Sequence, residues 1–359
     1  MRHQRVRVLV AAVGVWLGCA VAAAAADPPA VRLVATGGTI SNRAGGRLTA
    51  AELVALMPNV QRYATPEFEQ FSNTSSSELT LTQWLQLSRR LNELFSTRPD
   101  LGGLVVTSGT DTMEELAYFL HLTVRDVRPV VVVGSMRNPS TLGYEGAANL
   151  LEAFRVAAAP EARGKGVLVV LNDEINSARE VTKTDALRLQ TFQSRPAGLL
   201  GVVDSDRVVF YRTTVKRHTA QSEFDVTAIT ALPRVDVVLV YQDAPGDLIK
   251  AMADQGAKGI VVAAAGAGAT SGTQSEGLTY AAGKGVVVVT TTRTGSGRVP
   301  GRSFGPPPGA ASAGGDAPRP RRAFIGGEDL APIKARILLM LALARTTDPA
   351  EIQRMFLEY

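Results

Sequence analysis

Leu104-Val105-Val106-Thr107-Ser108-Gly109-Thr110-Asp111-Thr112-Met113-Glu114-Glu115-Leu116 reads as a strand, a turn and a helix in immediate succession. It opens as an unbroken apolar run, the pattern of a strand buried on both faces. From Met113 the period changes. Met113, Leu116, Ala117, Phe119 and Leu120 share one helical side, and Glu114 and Glu115 occupy the acid-favoured first turn. The small-residue turn between them presents two hydroxyls and a carboxylate at the carboxyl end of a strand, where open α/β sheets hold their ligands. Asp and Thr also cap helices, so taken alone the turn is open to a capping role as well as a chemical one.

The same alternation runs outward in both directions. Val31–Ala35, Glu67–Phe71, Pro129–Gly134 and Val167–Leu171 read as strands, and helices are expected at Ala50–Met57, from Leu81 to the stop at Arg98-Pro99, and at Glu145–Ala158. This predicts an α/β protein of two domains. The larger, residues 27–211, carries a mostly parallel sheet flanked by helices. A polar connection at 212–233 leads to a smaller flavodoxin-like α/β domain at 234–359. Its expected strands are Val235–Tyr241, Gly259–Ala264 and Val286–Thr291, with helices near Asp247–Asp254, Thr273–Gly283, Ala331–Ala344 and Pro349–Phe356. Residues 295–322, crowded with Gly, Pro, Ser, Ala and Arg, read as a low-complexity loop.

Residues 1–26 read as a signal peptide. Arg2, Arg5 and Arg7 precede an apolar run from Val8 to Val21, and Ala24-Ala25-Ala26 supplies a small-residue cleavage site. An uncleaved membrane anchor and lipid attachment at Cys19 are the competing readings. Cleavage predicts a periplasmic or secreted protein with no stable membrane anchor. Losing three arginines and no acid takes the net charge from +5 to +2, so the chain's basicity gives no argument for nucleic acid. Its only cysteine, Cys19, leaves too, and with it any thiol nucleophile or Cys-bearing metal site. Of the histidines only His121 and His218 remain. His121 lies in an apolar helix, where a satisfied, partly buried imidazole is expected, and the two supply neither a zinc site nor a Ser-His-Asp triad readily.

Chemistry must then come from hydroxyls, carboxylates and lysine. Thr36-Gly37-Gly38-Thr39 ends the first strand as Ser108-Gly109-Thr110-Asp111 ends a later one, and adjacent parallel strands would bring the two turns together. Their glycines let backbone approach a ligand and free N–H groups for an oxyanion. Lys183, in the polar stretch Glu180–Asp185, could accept a proton from Thr110 if held near Asp111; most lysines are only surface solubilisers. Gly266-Ala267-Gly268-Ala269 reads as a tight turn.

Taken together these segments resemble the bacterial-type L-asparaginase/glutaminase family over nearly the whole mature chain. The motifs are Ala35–Ile40, the run from Thr107 to Glu115, Pro129–Arg137, Asn172-Asp173 through Thr184, Phe224–Val226 and Lys334–Arg336. The resemblance implies that Thr39 attacks the side-chain amide and carries the acyl group. Thr110 would handle protons with Lys183 and Asp111. Asp111 would also hold the substrate's α-ammonium group and Ser76 its α-carboxylate. Ser77 falls where some members have Gln, Ser135 on a site-lining backbone position, and Gly38 and Gly109 in the binding turns. The substrate is then a small amino-acid amide, with no metal or organic cofactor, and members are typically homotetramers. Two departures stand out. Active members usually carry a Tyr in the loop after the first Thr, and Ser41–Arg47 has none. The small domain often contributes Asn where Ala267 and Ala269 stand, and a Glu that has no counterpart in Gly301–Arg322. A binding protein with little turnover and an amidase for another side-chain amide are the alternatives.

Overall fold

Alternate residues of one strand feed opposite sides of the large sheet. Leu104 and Val106 belong to one buried cluster, Val105 to another, which is why an unbroken apolar run is needed where helices cover both faces. The structure is a computed structural model and describes residues 27–301 and 325–359. The signal-peptide reading at 1–26, Cys19 within it, and residues 302–322 of the low-complexity stretch lie outside the described residues.

In chain order the large domain runs β1 (Ala30–Gly37), the hairpin β2 (Asn42–Arg43) and β3 (Gly46–Arg47), α1 (Ala50–Ala55) and β4 (Thr65–Thr74). Next come α2 (Leu81–Thr97), β5 (Leu101–Thr107), α3 (Met113–Thr123), β6 (Val130–Val133) and α4 (Gly146–Ala158). It closes with β7 (Val167–Leu171), β8 (Glu174–Ser177), the short pair β9 (Thr182–Lys183) and β10 (Phe192–Gln193), β11 (Gly201–Val203) and β12 (Val208–Phe210). The small domain has β13 (Val235–Leu239), α5 (Asp247–Asp254), β14 (Gly259–Ala264), α6 (Gln274–Gly283), β15 (Val287–Thr292), β16 (Ile325–Gly326), α7 (Pro332–Leu343) and α8 (Pro349–Glu358).

Eight strands form the large sheet in the order β12-β11-β8-β7-β6-β5-β1-β4. From β4 to β7 all pairings are parallel, and β8, β11 and β12 extend the edge antiparallel. That edge carried no sequence signal, because strands of three or four residues are too short to show a period. The small sheet is all parallel, in the order β13-β14-β15-β16. The two-domain α/β reading therefore holds. The domains also share a core: residues of α7 join the cluster that covers α2 and α3.

Chain direction places the site. From β1 the chain crosses to β4 on one side and returns to β5 on the other. The carboxyl ends of β1 and β5 thus flank a switch in strand order, where open α/β sheets leave a crevice.

Candidate active site

The two glycine turns meet backbone to backbone. Beneath them Thr36 and Thr107 are laced together: Thr36 N–H donates to Thr107 Oγ1 at 3.0 Å and Thr36 Oγ1 to the Thr107 carbonyl at 2.5 Å. Above, Gly38 adopts φ 91°, and a Cβ there would lie 2.3 Å from the Gly109 nitrogen. Only glycine fits both demands. A Cβ on Gly109 would in turn lie 2.7 Å from Ser76 Oγ, so Gly38, Gly109 and the buried Ser76 form one wall. The Gly38 N–H is not free for an oxyanion, since it donates to the Thr74 carbonyl at 2.9 Å. Thr39 begins a short 3-10 turn, Thr39–Ser41, and is half-buried.

Across the crevice Thr110, Asp111 and Lys183 come together. Lys183 Nζ donates to Thr110 Oγ1 at 3.1 Å and to Asp111 Oδ1 at 2.7 Å. Thr110 is buried and the Lys183 side chain is 15% exposed, whereas that of Asp111 is 77% exposed. Asp111 does not take the capping role that the turn left open. Thr112, not Asp111, stands at the cap position of α3, and its side chain makes no capping hydrogen bond. Asp111 is committed to Lys183 and to the open face.

Glu114 is not merely a dipole-compensating acid. It is buried, and its Oε1 accepts from Thr182 Oγ1 at 2.9 Å and from the Lys183 N–H at 3.0 Å. Sequence reasoning missed this contact because an acid in a first helical turn has an ordinary explanation. Ser135 is buried at the end of β6, beside β5, with its hydroxyl donating to the Arg137 carbonyl at 2.6 Å. Ser77 follows Ser76 in the 3-10 turn Ser76–Glu78 and is exposed.

The segment after Thr39 is a tethered hairpin. Ala44 N–H donates to Ser140 Oγ at 2.8 Å, Arg47 Nη2 to Ser75 Oγ at 3.3 Å, and Leu48 N–H to the Ser41 carbonyl at 2.7 Å. Its base is held by Tyr144, whose hydroxyl donates to the Ile40 carbonyl at 2.8 Å. The hairpin lacks a tyrosine of its own, and Tyr144 brings one against it from the loop before α4. Sequence position alone could not show this, because the two residues are 104 apart. At Gly266–Ala269 the expected tight turn is present, closed by an antiparallel bridge between Ala265 and Ala269.

Comparison with known proteins gives a consistent answer over both domains. Residues 30–216 match the model described as asparaginase, N-terminal, and residues 234–356 the glutaminase/asparaginase C-terminal domain. The chain belongs to the asparaginase/glutaminase family. Within that family it is 40% identical to L-asparaginase 2 of Bacillus subtilis, over 93% of this chain and 87% of that protein. It is 37% identical to the glutaminase-asparaginase of Pseudomonas fluorescens, over 92% and 90% of the two chains. The crystal structure of a probable cytoplasmic L-asparaginase from Campylobacter jejuni superimposes with a TM-score of 0.84 at 38% identity, covering 92% of this chain and all of that one. The family model for the large domain spans both glycine turns and Lys183.

Proposed function

We propose that this protein hydrolyses L-asparagine, and to some extent L-glutamine, to the dicarboxylic acid and ammonia, through an acyl-enzyme on Thr39. Membership of the asparaginase/glutaminase family supports the reaction class. The observation that carries the residue assignment is the Thr110–Lys183–Asp111 cluster facing the Gly38-Thr39 turn.

Thr39 Oγ1 attacks the amide carbonyl, its proton passes to the leaving nitrogen, and ammonia departs as the C–N bond breaks. Water then adds to the ester carbonyl; its proton, taken up on the Thr110–Lys183 side, is delivered to Thr39 Oγ1 as the ester C–O bond breaks, which releases the acid and restores Thr39. The zwitterionic end of the substrate fits the charge layout: the open carboxylate of Asp111 for the α-ammonium, and Ser76 with the backbone around Gly109 for the α-carboxylate. Gly38 N–H is occupied, so the oxyanion donors are assigned to the N–H groups that follow it in the turn, beginning with Thr39. Export to the periplasm or medium rests on the leader's composition. A homotetramer fits the exposure of Asp111, which leaves that side of the site open to a neighbouring subunit.

Purified residues 27–359 should release ammonia from L-asparagine. Thr39→Ala and Thr110→Ala should each lower turnover by about a thousandfold or more with the fold intact by circular dichroism. A folded wild type that releases ammonia from neither asparagine nor glutamine would falsify the assignment. A second reading, an amidase for a bulkier side-chain amide, is favoured by the short, tethered hairpin, and a panel of extended amides separates it from the first.

A further inference from the structure

We propose that Glu114 and Lys334 act as a pair of positioning residues that together clamp the segment 178–183 and so set where Lys183 Nζ meets Thr110. The proposal rests on the reading of Lys183 as part of the catalytic machinery.

Lys334 comes from the small domain, in the first turn of α7, and is 1% exposed. Neither circumstance suits a lysine: burial disfavours its charge, and a helix N-terminus repels a cation. Burial lowers its pKa to about 8, with Glu114 the main opposing influence. The offset is an unusual set of partners. Nζ donates to the carbonyls of Ala178 at 2.9 Å, Arg179 at 3.2 Å and Val181, which uses all three of its donors. Its fourth neighbour is Glu114 Oε2 at 4.0 Å.

Glu114 completes the clamp from the α3 side through Thr182 Oγ1 and the Lys183 N–H. Thus five of the six residues at 178–183 give a carbonyl to Lys334 or a donor to Glu114, and one of them, Lys183, held by its N–H, reaches Thr110 with its Nζ. Thr110 and Asp111 lie on the turn that leads into α3, and Glu114 lies on α3 itself. One helix therefore fixes both the residues Lys183 must reach and the backbone from which it reaches. A second pair, Glu115 with Arg336 at 3.8 Å, ties α3 to α7 beside the first.

The test uses the full protein with Glu114→Gln, Lys334→Met and the double variant, read by steady-state kinetics on L-asparagine, thermal melting and crystal structures. Wild-type turnover decides the underlying reading, while the crystal structures decide the clamp whether or not turnover is seen. In each single variant Lys183 Nζ should leave hydrogen-bonding reach of Thr110 Oγ1. The kcat should fall by about tenfold or more, with KM changed by less than about threefold. The double variant, which strands no buried charge, should recover part of the lost kcat. Overturning results are Lys183 Nζ still on Thr110 in both single variants, or kcat losses that follow the loss of melting temperature and no recovery in the double variant.

Discussion

At the scale of single residues the site depends on absent side chains as much as on present ones. Gly38 combines φ 91° with a Cβ position 2.3 Å from the Gly109 nitrogen, so Gly38→Ala must both strain the backbone and push two turns apart. It should cost roughly 2–4 kcal/mol in urea unfolding, and the residual folded protein should be inactive because Thr39 is displaced. The residue types at the site were legible in sequence: two hydroxyl-bearing turns after apolar runs, a carboxylate beside one of them, and no histidine or cysteine to compete. Contacts between distant residues were not. Lys183 is 73 residues from Thr110, and its stretch is as polar as any surface loop. Glu114 and Tyr144 were hidden for a similar reason, since each has a routine local reading until the partner element is in place. His121 was expected to be satisfied and partly buried. It is fully buried instead, with Nδ1 accepting from the Val167 N–H and Nε2 without a partner among the described residues.

At the scale of elements, the long periodic or continuous segments were read closely, and the short ones were not. Val167–Leu171, Gly259–Ala264 and Asp247–Asp254 have the expected bounds, because apolar runs and amphipathic turns bounded by Gly or Pro leave little choice. The hairpin β2–β3, the pair β9–β10 and the antiparallel edge were missed: each strand has two to four residues and takes its conformation from neighbours. Where an element has its own signal, its end can be tested in isolation. Thr80 accepts from the Gln83 N–H while the Gln83 side chain accepts from the Thr80 N–H, a complete capping box at the start of α2. Thr80→Ala should therefore cost about 1 kcal/mol in chemical denaturation. Turnover per folded molecule should stay unchanged, since α2 touches the site only through the core. A larger loss would mean that α2 depends more on its first turn than on its buried Trp84, Leu85, Leu87, Leu91, Leu94 and Phe95.

At the scale of the whole molecule, acid should be the fold's weak side. Burial holds His121 well below its ordinary pKa, and His218, Arg179 and Lys334 add unfavourable charge around it; His218 is lowered by burial as well. A base whose folded pKa lies below its unfolded value gives stability that is present above about pH 6.5 and lost as pH falls below it. For His121 the loss is roughly 1.4 kcal/mol per pH unit until the folded form itself titrates. Melts at pH 7.5 and 5.5 should show that gap, and His121→Gln, which can still accept from Val167, should narrow it. An unchanged gap would place the acid sensitivity elsewhere. The seam between α3 and α7 has a practical consequence of another kind. Cut in the connection at residues 217–233, the large fragment would keep every residue assigned to the chemistry but lose the ammonium that gathers three carbonyls beside Lys183. Two silent fragments that regain ammonia release only on meeting are the makings of a split reporter, in which each half is fused to one of two test proteins and colour development counts their encounters.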